Sequence, residues 1–414
     1  MTRTALVIGA GVAGPVLAMA LQRAGIHAEV FERHPAGADD VGSWLTLQAN
    51  GIDALRAVGA DRAVAERGFP TRSMRFLNGR GKVLGRLGNG PVLPDGTGSR
   101  MIERAVLYAC LRDEALARGA SVTYDKALVG TRTEGGRVTA EFADGTSAEG
   151  DLLVGCDGIR SRVRTIIDQD AAPAAYIPVL NCGAVIPDFP LADAPEGEFQ
   201  MMFGTRCFFG WTMAPDGSAG WFANPPHPGE PRPGELEAMS DADWRAWLTE
   251  LAGDDHGPMK ELIAATPGPI VGWPTYDLAS VRRWHRDHMI VIGDAAHATS
   301  PAAGQGAAMA LEDAVILAQC LRDVPEIPDA FTTFEALRRE RVERIVKVGR
   351  RGSSAKAAGP LGRWIRDLML PILFRRAAKD TEGSMWMHAH HIDWDAPVTR
   401  AAVSASGAGG AARG

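Results

Sequence analysis

The segment Thr4–Glu32, TALVIGAGVAGPVLAMALQRAGIHAEVFE, constrains the fold more than any other stretch of the chain. Thr4–Ile8 is a short apolar run, long enough for a buried strand. Gly9-Ala-Gly11-Val12-Ala13-Gly14 follows, and Pro15 suits the first turn of a helix whose apolar face is Val16, Leu17, Ala20 and Leu21. Gly25 stops that helix, and Glu29–Phe31 is a second strand ending in Glu32. Each part has a physical duty in holding a dinucleotide. The glycines make a tight turn, let backbone approach a pyrophosphate and pack helix on strand. The helix N-terminus faces the phosphates, and an acid roughly 20 residues on holds a ribose hydroxyl. GxGxxG alone is a weak signal; in a strand–turn–helix–strand–acid context it is a strong one.

A second ligand-binding pattern lies in Met289–Leu317, MIVIGDAAHATSPAAGQGAAMALEDAVIL. Met289–Ile292 is a strand-length apolar run, followed by Gly293-Asp294 and a loop with Pro301, Gly304 and Gly306. From Ala307, the residues Ala308, Leu311, Val315 and Ala318 fall at helical spacing. The loop glycines let backbone approach a flat or charged group, and the N–H groups of the helix start favour an anion or a polarised oxygen. A third strand, Asp151–Gly155, runs into Cys156-Asp157-Gly158, placing Asp157 at a strand end, where open α/β sheets bind ligands. Arg160, Arg162 and Arg164 then stand at alternate positions: a phosphate patch, or, more commonly, solvated helix arginines. His297, three residues after the Gly-Asp pair, is expected to be a structural hydrogen-bonder.

At 414 residues the chain exceeds one typical core, so two domains are expected. With 46% hydrophobic and 23% charged residues it has an ordinary globular composition, and a net charge of −6 gives no electrostatic case for nucleic acid. Cys110, Cys156, Cys182, Cys207 and Cys320 are scattered without a CxxC pair, which reads as reduced and cytoplasmic, with neither zinc nor a disulfide frame. Ala5–Leu21 is too broken by glycine and proline for a signal peptide, and short for a membrane span.

Elsewhere, Gly42–Asn50 leads into a helix through Ile52, Leu55 and Val58, and an Asn78-Gly79 turn makes a hairpin within Arg72–Leu87. Ile102–Ala117 is helical, and Ser121–Tyr124, Ala127–Thr131 and Val138–Phe142 describe a small β meander. Tyr176–Pro274 is rich in aromatics and prolines and alternates at Cys182–Ile186, Phe199–Phe203, Cys207–Met213 and Ala219–Ala223. It reads as a mostly antiparallel sheet domain inserted in the nucleotide-binding one. Phe199, Met201, Phe203, Phe209, Trp211, Met213, Trp221 and Phe222 are candidates for a large apolar pocket, though half of an alternating set packs on its own core. Pro328 onward is helical with a basic face. Gly359–Lys379, GPLGRWIRDLMLPILFRRAAK, is amphipathic and basic, and packing across the domain junction is expected in preference to a membrane surface. Trp386, His388, His390, His391 and Trp394 cluster with no acid or cysteine at ligand spacing, so no metal is assigned.

In order along the chain, Gly9–Gly14 with Glu32, Ile102…Arg104…Leu107, Cys156-Asp157-Gly158 and Gly293-Asp294…Pro301…Gly304-Gln305-Gly306 closely resemble the motifs of one family. It is the single-component FAD-dependent aromatic hydroxylases of the p-hydroxybenzoate hydroxylase fold, which includes tetracycline-inactivating and polyketide-modifying monooxygenases. The resemblance spans Thr4 to about Arg344; it is specific for FAD and fold and nearly silent on substrate. It implies an α/β architecture with a Rossmann-like FAD-binding domain (1–72, 98–175 and 275–345) and an inserted, mostly antiparallel β-sheet substrate domain (73–97 and 176–274). C-terminal helices (346–400) and a disordered tail (401–414) would follow.

Carried onto this sequence, the resemblance implies that Gly9, Gly11, Val12, Ala13 and Gly14 cradle the ADP pyrophosphate, with Glu32 on the adenosine ribose and Arg33 nearby. Arg104 would meet the ribityl–pyrophosphate region, Asp157 would sit in a motif linked to FAD and NAD(P)H, and Asp294 would bind the ribityl or pyrophosphate part. Pro301, Gly304, Gln305, Gly306 and Ala307 would run beside the isoalloxazine, Pro301 and Gly304 lining the oxygen site. Gln48, Met201, Phe203, Trp211, Met213 and Phe222 are the substrate candidates. Ala308 stands where many relatives carry Asn, Gly or Ser, and Asp39-Asp40 near where they often carry Arg.

The implied reaction has NAD(P)H, docking transiently without its own domain, reduce non-covalently bound FAD. O₂ then adds at flavin C4a, and the hydroperoxide delivers one oxygen atom, by hydroxylation or epoxidation, to a bulky aromatic, polyketide or terpenoid-like molecule. No protein nucleophile or metal is required. A monomer or dimer is expected, without membrane association. Two alternatives stand beside this reading. One is a flavin-dependent halogenase, since Gly210-Trp211-Thr-Met-Ala-Pro215 matches part of that family's Gly-Trp-x-Trp-x-Ile-Pro motif, with Met213 and Ala214 departing from it. The other is a non-catalytic FAD-binding protein.

Overall fold

The computed structural model describes residues 3–35, 44–93, 95–191, 194–354, 360–379 and 381–398; Asp39, Asp40 and the tail 401–414 lie outside them. Thr4–Ile8 is apolar because it is the central strand of a parallel sheet whose faces are both covered. It pairs with His27–Phe31 on one side and Leu152–Gly155 on the other, Ala5 lying opposite both Ala28 and Leu152. Met289–Val291 continues the sheet in parallel beyond Leu152–Gly155, and His285–Arg286 closes that edge antiparallel. Ser121–Thr123 forms the opposite edge, in parallel with His27–Phe31. That strand therefore leaves the predicted meander. Leu128–Glu134, Arg137–Phe142 and Ser147–Gly150 form the separate three-stranded antiparallel sheet. A three-residue strand is too short for periodicity to reveal which sheet it joins.

The helix Gly306–Asp323 is buried from Ala308 to Leu321 and packs against Ala13–Arg23, Ala49–Ala57 and Ile327–Ser354. Its side chains join Leu6, Val7, Leu17 and Ile290 in the largest core. Ala308 sits at a close contact between two of these helices: a Cβ on Gly51 would stand 3.0 Å from both its Cα and its Cβ. Its small size is therefore a packing requirement between two helices.

The second large sheet has seven strands, in the order Gly272–Asp277, Ala175–Ile186, Ala219–Asn224, Phe208–Met213, Glu198–Phe203, Ser73–Asn78 and Val83–Gly88. Every pair is antiparallel except Glu198–Phe203 with Ser73–Asn78. Strand alternation sorts its aromatics onto two faces. Met202, Phe209, Trp211 and Trp221 pack on the helices Asp241–Ala252 and Met259–Ala265, in a core with Trp244, Leu248 and Leu262, and Met213 packs against it. A capping box between Ser240 and Asp243 starts the first of these helices. Phe199, Met201, Phe203, Phe208 and Phe222 occupy the other face, where Phe203–Phe208, Phe208–Phe222 and Phe199–Phe222 ring centroids lie 5.0, 5.9 and 5.7 Å apart.

A small sheet bridges the two large ones. Trp44–Leu47 pairs antiparallel with Arg100–Glu103, which also pairs with Phe69–Pro70. The sequence reading anticipates only the helices that follow, Ala49–Ala57 and Arg104–Ala117. The C-terminal helix Pro360–Lys379 lays Leu370 and Phe374 on Phe76, Phe203, Phe208 and Leu84, the Phe374 and Phe76 rings stacking at 4.6 Å.

Candidate active site

The glycine turn has the geometry its sequence demands. Gly9 adopts φ +106°, where a Cβ would lie 2.5 Å from the carbonyl oxygen of Cys156, and a Cβ on Gly14 would lie 2.0 Å from the oxygen of Gly9. Both are fixed as glycine by protein backbone. Gly11 differs: no protein atom lies within 4 Å of its Cβ position, so only an approaching ligand gives its small size a purpose. Val12 caps the helix Ala13–Arg23 with backbone alone, leaving the first-turn N–H groups without a side-chain acceptor. Glu32 reaches the same turn, its carboxylate accepting from Ala10 N at 2.8 Å and His34 N at 3.0 Å. Arg33 is exposed beside it.

Asp294 follows Gly293, which holds φ +59°. Its carboxylate is solvent-accessible, yet the surrounding protein is dense enough that burial pushes its pKa up, against His297 and Arg104. A group with both properties lines a concavity. Gly306 faces it, its Cβ position 4.0 Å from Asp294 Oδ1. Tyr108, on the helix begun by Arg104, completes the neighbourhood: burial raises its phenol, and Arg104, Asp294 and Glu32 all act on it electrostatically. Sequence reasoning missed Tyr108, although its position four residues after Arg104 puts both on one helix face.

The loop beside Asp294 is a short 3₁₀ turn, Pro301–Ala303, capped by Ser300 and closed by Gly304 in the left-handed region at φ +61°. Pro301 and Gly304 are exposed, and Gly306 and Ala307 are half-buried. Gln305 instead is fully buried and spends its side chain inward, accepting from Asn50 Nδ2 at 2.9 Å and pairing with His388 Nδ1 at 2.9 Å. Gln48 also joins this cluster. It accepts from Ser99 Oγ at 2.7 Å, donates to Asn89 Oδ1 at 3.1 Å, and lies 3.5 Å from the Cβ position of Gly304.

Asp157 is turned away from the cleft. Its carboxylate accepts from Ser161 Oγ and from the N–H groups of Arg162 (2.7 Å) and Val163 (3.0 Å), capping the helix Arg162–Ile167. Its structural duty is to hold the Cys156 carbonyl under Gly9. The three arginines after it form no phosphate patch. Arg164 is buried and donates to the carbonyls of Ala295 (2.9 Å) and Ile159 (2.7 Å), Arg162 donates to Val129, and Arg160 lies over Tyr276.

Of the substrate candidates, Met201 and Phe222 are half-buried on the sheet face opposite the Asp241–Ala252 helix. Phe203 shares their face, buried under the helix Pro360–Lys379. Trp211 and Met213 belong to the helix-side core, so the structure removes them from the pocket. Packing also accounts for Trp211 in the halogenase-like segment. An unanticipated residue takes their place: a Cβ on Gly220 would lie 2.3 Å from the indole of Trp44, which crosses the inner face.

Behind the loop lies a buried ionic network. Asp313 accepts from Gly293 N (2.9 Å), His297 Nε2 (2.5 Å) and Arg338 Nε (2.7 Å). Arg338 also meets Glu312 at 2.7 Å, and Glu312 takes Arg341 at 2.8 Å and Asn50 at 2.6 Å. His297 is thus the structural partner the sequence suggests. Arg341 donates onward to the carbonyls of Trp386 (2.6 Å) and Met387 (2.9 Å), tying the C-terminal helix Thr381–His388 to the site. Among the described residues no group of three His, Cys, Asp or Glu side chains is placed to hold a metal ion.

His388 and His390 are both depressed to about 4, His388 by burial and then by Arg341, His390 by burial against the pull of Glu312, with Arg341, Arg338 and Asp53 also nearby. In the unfolded chain each titrates near 6.5. Between pH 6.5 and 4 the unfolded chain therefore binds more protons, and stability falls as pH drops through that window. Each contributes on the order of 3 kcal/mol over its full shift. Thermal unfolding at pH 7 and pH 5 should show a loss of several degrees, and His388→Asn with His390→Asn should flatten it; an unchanged slope in that variant would contradict the assignment.

A family profile described as FAD binding domain matches residues 2–348. The chain belongs to the FAD-binding domain family. This flavoprotein is 31% identical over 372 residues to an aurachin C monooxygenase/isomerase of Stigmatella aurantiaca, covering 87% of this chain and 90% of that one. It superposes on HpxO of Klebsiella pneumoniae, solved with FAD and uric acid, with a TM-score of 0.83 and 25% identity over 94% of this chain and 97% of that one. The tetracycline destructase Tet(51) shares the fold at a TM-score of 0.68 and 18% identity, over 92% and 98% of the two chains. The protein is accordingly a flavoprotein monooxygenase with FAD as its cofactor. The open approach at Gly11 and the concavity at Asp294 fit that group.

Proposed function

We propose that this monooxygenase uses NAD(P)H and O₂ to place one oxygen atom, by hydroxylation or epoxidation, on a bulky and mostly apolar aromatic, polyketide or terpenoid-like molecule. The observation that carries the reading is the strand Trp44–Leu47. Its first residue lies on Gly220 of the aromatic sheet face, and Gln48, just past its end, lies beside Gly304. At about 3.3 Å per residue, the strand spans roughly 13 Å of backbone between the residue on the sheet face and the residue beside the loop. That span admits a flat ring on the Gly304 loop and a substrate between it and the sheet.

In this reading Gly9, Gly11 and Gly14, with the N–H groups of Val12 and Ala13, hold the pyrophosphate. Glu32 holds the ribose, and Arg104, Tyr108 and Asp294 line the path of the ribityl chain. Backbone from Pro301 to Ala307 supports the ring. Bound FAD supplies hydride acceptance and oxygen activation. The chain's own contribution is orientation and dryness. Phe199, Met201, Phe222 and Trp44 present an apolar wall that keeps water out, while Gln48 is locked by Ser99 and Asn89 in one amide orientation.

Purified protein is expected to be yellow, to oxidise NAD(P)H faster when substrate is present, and to transfer one atom from isotopically labelled O₂ into product. A colourless protein unable to take up FAD would sink the reading. So would FAD-loaded protein that never couples NAD(P)H oxidation to oxygen incorporation across a broad panel of such compounds.

A further inference from the structure

The helix Pro360–Lys379 is apolar on both sides. Its inner face is accounted for: Leu370 and Phe374 pack on the aromatic sheet, Arg366 lies over Phe203, and Asn78 donates to Asp367 at 2.9 Å. Its outer face carries Trp364, Ile365, Leu368, Met369, Ile372 and Leu373, each between 44% and 67% exposed. Other large exposed apolar residues, such as Val92, Leu116 and Val271, are scattered singly, which is normal for a protein surface. Six on one face of one helix are not, because they form a contiguous exposed apolar patch.

The charges on this helix select what covers it. Arg375 and Arg376 are exposed at the C-terminal end of the apolar face. The helix's one acid, Asp367, is turned inward to Asn78. The helix is thus basic in a chain whose net charge is −6. Two copies meeting across this face would offer Arg375 and Arg376 no outward-facing acid among the described residues of the other copy's helix. An anionic lipid surface meets both features, accepting the apolar side chains below its headgroups and pairing its phosphates with the arginines at the level of the headgroups.

We propose that the outer face of Pro360–Lys379 docks on an anionic membrane surface, the helix lying in its plane. Among the described residues no helix is long and apolar enough to cross a membrane, so the contact is peripheral. The docking is independent of the catalytic reading, and its test requires no turnover.

The test is co-sedimentation of the full-length FAD-loaded protein with vesicles of phosphatidylcholine alone or of an equimolar phosphatidylcholine–phosphatidylglycerol mixture. Binding to the anionic vesicles should be tighter by roughly tenfold or more, at about 1 kcal/mol for each basic residue near the surface, and should weaken with salt. Leu368→Glu with Ile372→Glu should abolish binding at unchanged FAD content and melting temperature. Arg375→Glu with Arg376→Glu should remove the preference for anionic vesicles, and this pair decides the matter if the first variant proves unstable. Failure to bind either vesicle overturns the proposal, as does wild-type binding by both variants. A concentration-dependent dimer in sedimentation velocity that Leu368→Glu with Ile372→Glu dissolves would overturn it in favour of a second copy.

Discussion

Arg338→Met is expected to destabilise the protein by about 3–5 kcal/mol, the cost of leaving a buried ion unpaired. Arg338 is fully buried and makes ion pairs with both Glu312 and Asp313, themselves fully buried. Burial alone would push both carboxyls up. Arg338 and Arg341 overrule it at Glu312, and His297 and Arg338 at Asp313, so both are held below the ordinary carboxylate range. Removing Arg338 leaves two carboxylates facing one guanidinium and one imidazole in a dry interior. Urea unfolding should show the midpoint falling steeply at a similar slope. A loss below about 1 kcal/mol would mean that water or a rearranged Arg341 replaces it. FAD affinity should fall as well, because Asp313 also holds Gly293 N and so fixes the turn that presents Asp294.

Gly14→Ala is expected to yield colourless protein, with FAD affinity reduced at least roughly a hundredfold, or about 3 kcal/mol. The added methyl would stand 2.0 Å from the Gly9 carbonyl oxygen, a backbone atom that moves only if the turn opens. Gly11→Ala is the informative companion. Its methyl meets no protein atom within 4 Å, so the apoprotein should melt as wild type while FAD binding still weakens. Flavin absorbance after desalting, read beside the melting temperature, separates the two effects. Normal FAD retention by Gly11→Ala would show that the pyrophosphate does not approach this turn.

Legibility in the sequence followed the range of the interactions. The glycine turn and the Gly293-Asp294 strand end were readable because their constraints are local: a backbone conformation, a helix start, a burial pattern. The family motifs point to Asp157 and Gln305, but a motif does not say which way a side chain is spent; one caps its own helix and the other reaches Asn50 and His388. The two aromatic rows of the inserted sheet defeated periodicity differently. Both faces carry large rings, so alternation separates the rows without naming the one that faces the helices, and Trp211 and Met213 fell on the wrong side. Trp44 and His388 depend on pairings no local pattern encodes. Trp44–Leu47 finds its partner at Arg100–Glu103, and His388 meets Gln305 from 83 residues away.

That last contact separates homology from cooperativity. The matched family region ends at residue 348, yet the wall behind the Gly304 loop is finished by residues 386–392: two carbonyls for Arg341, a ring nitrogen for Gln305, and an imidazole and an N–H for Asp53. A boundary drawn at the end of the matched region would pass through the middle of one packed unit. Residues beyond the matched region are therefore bound to the loop beside Asp294, and substitutions there can alter the cofactor seat without touching the matched region.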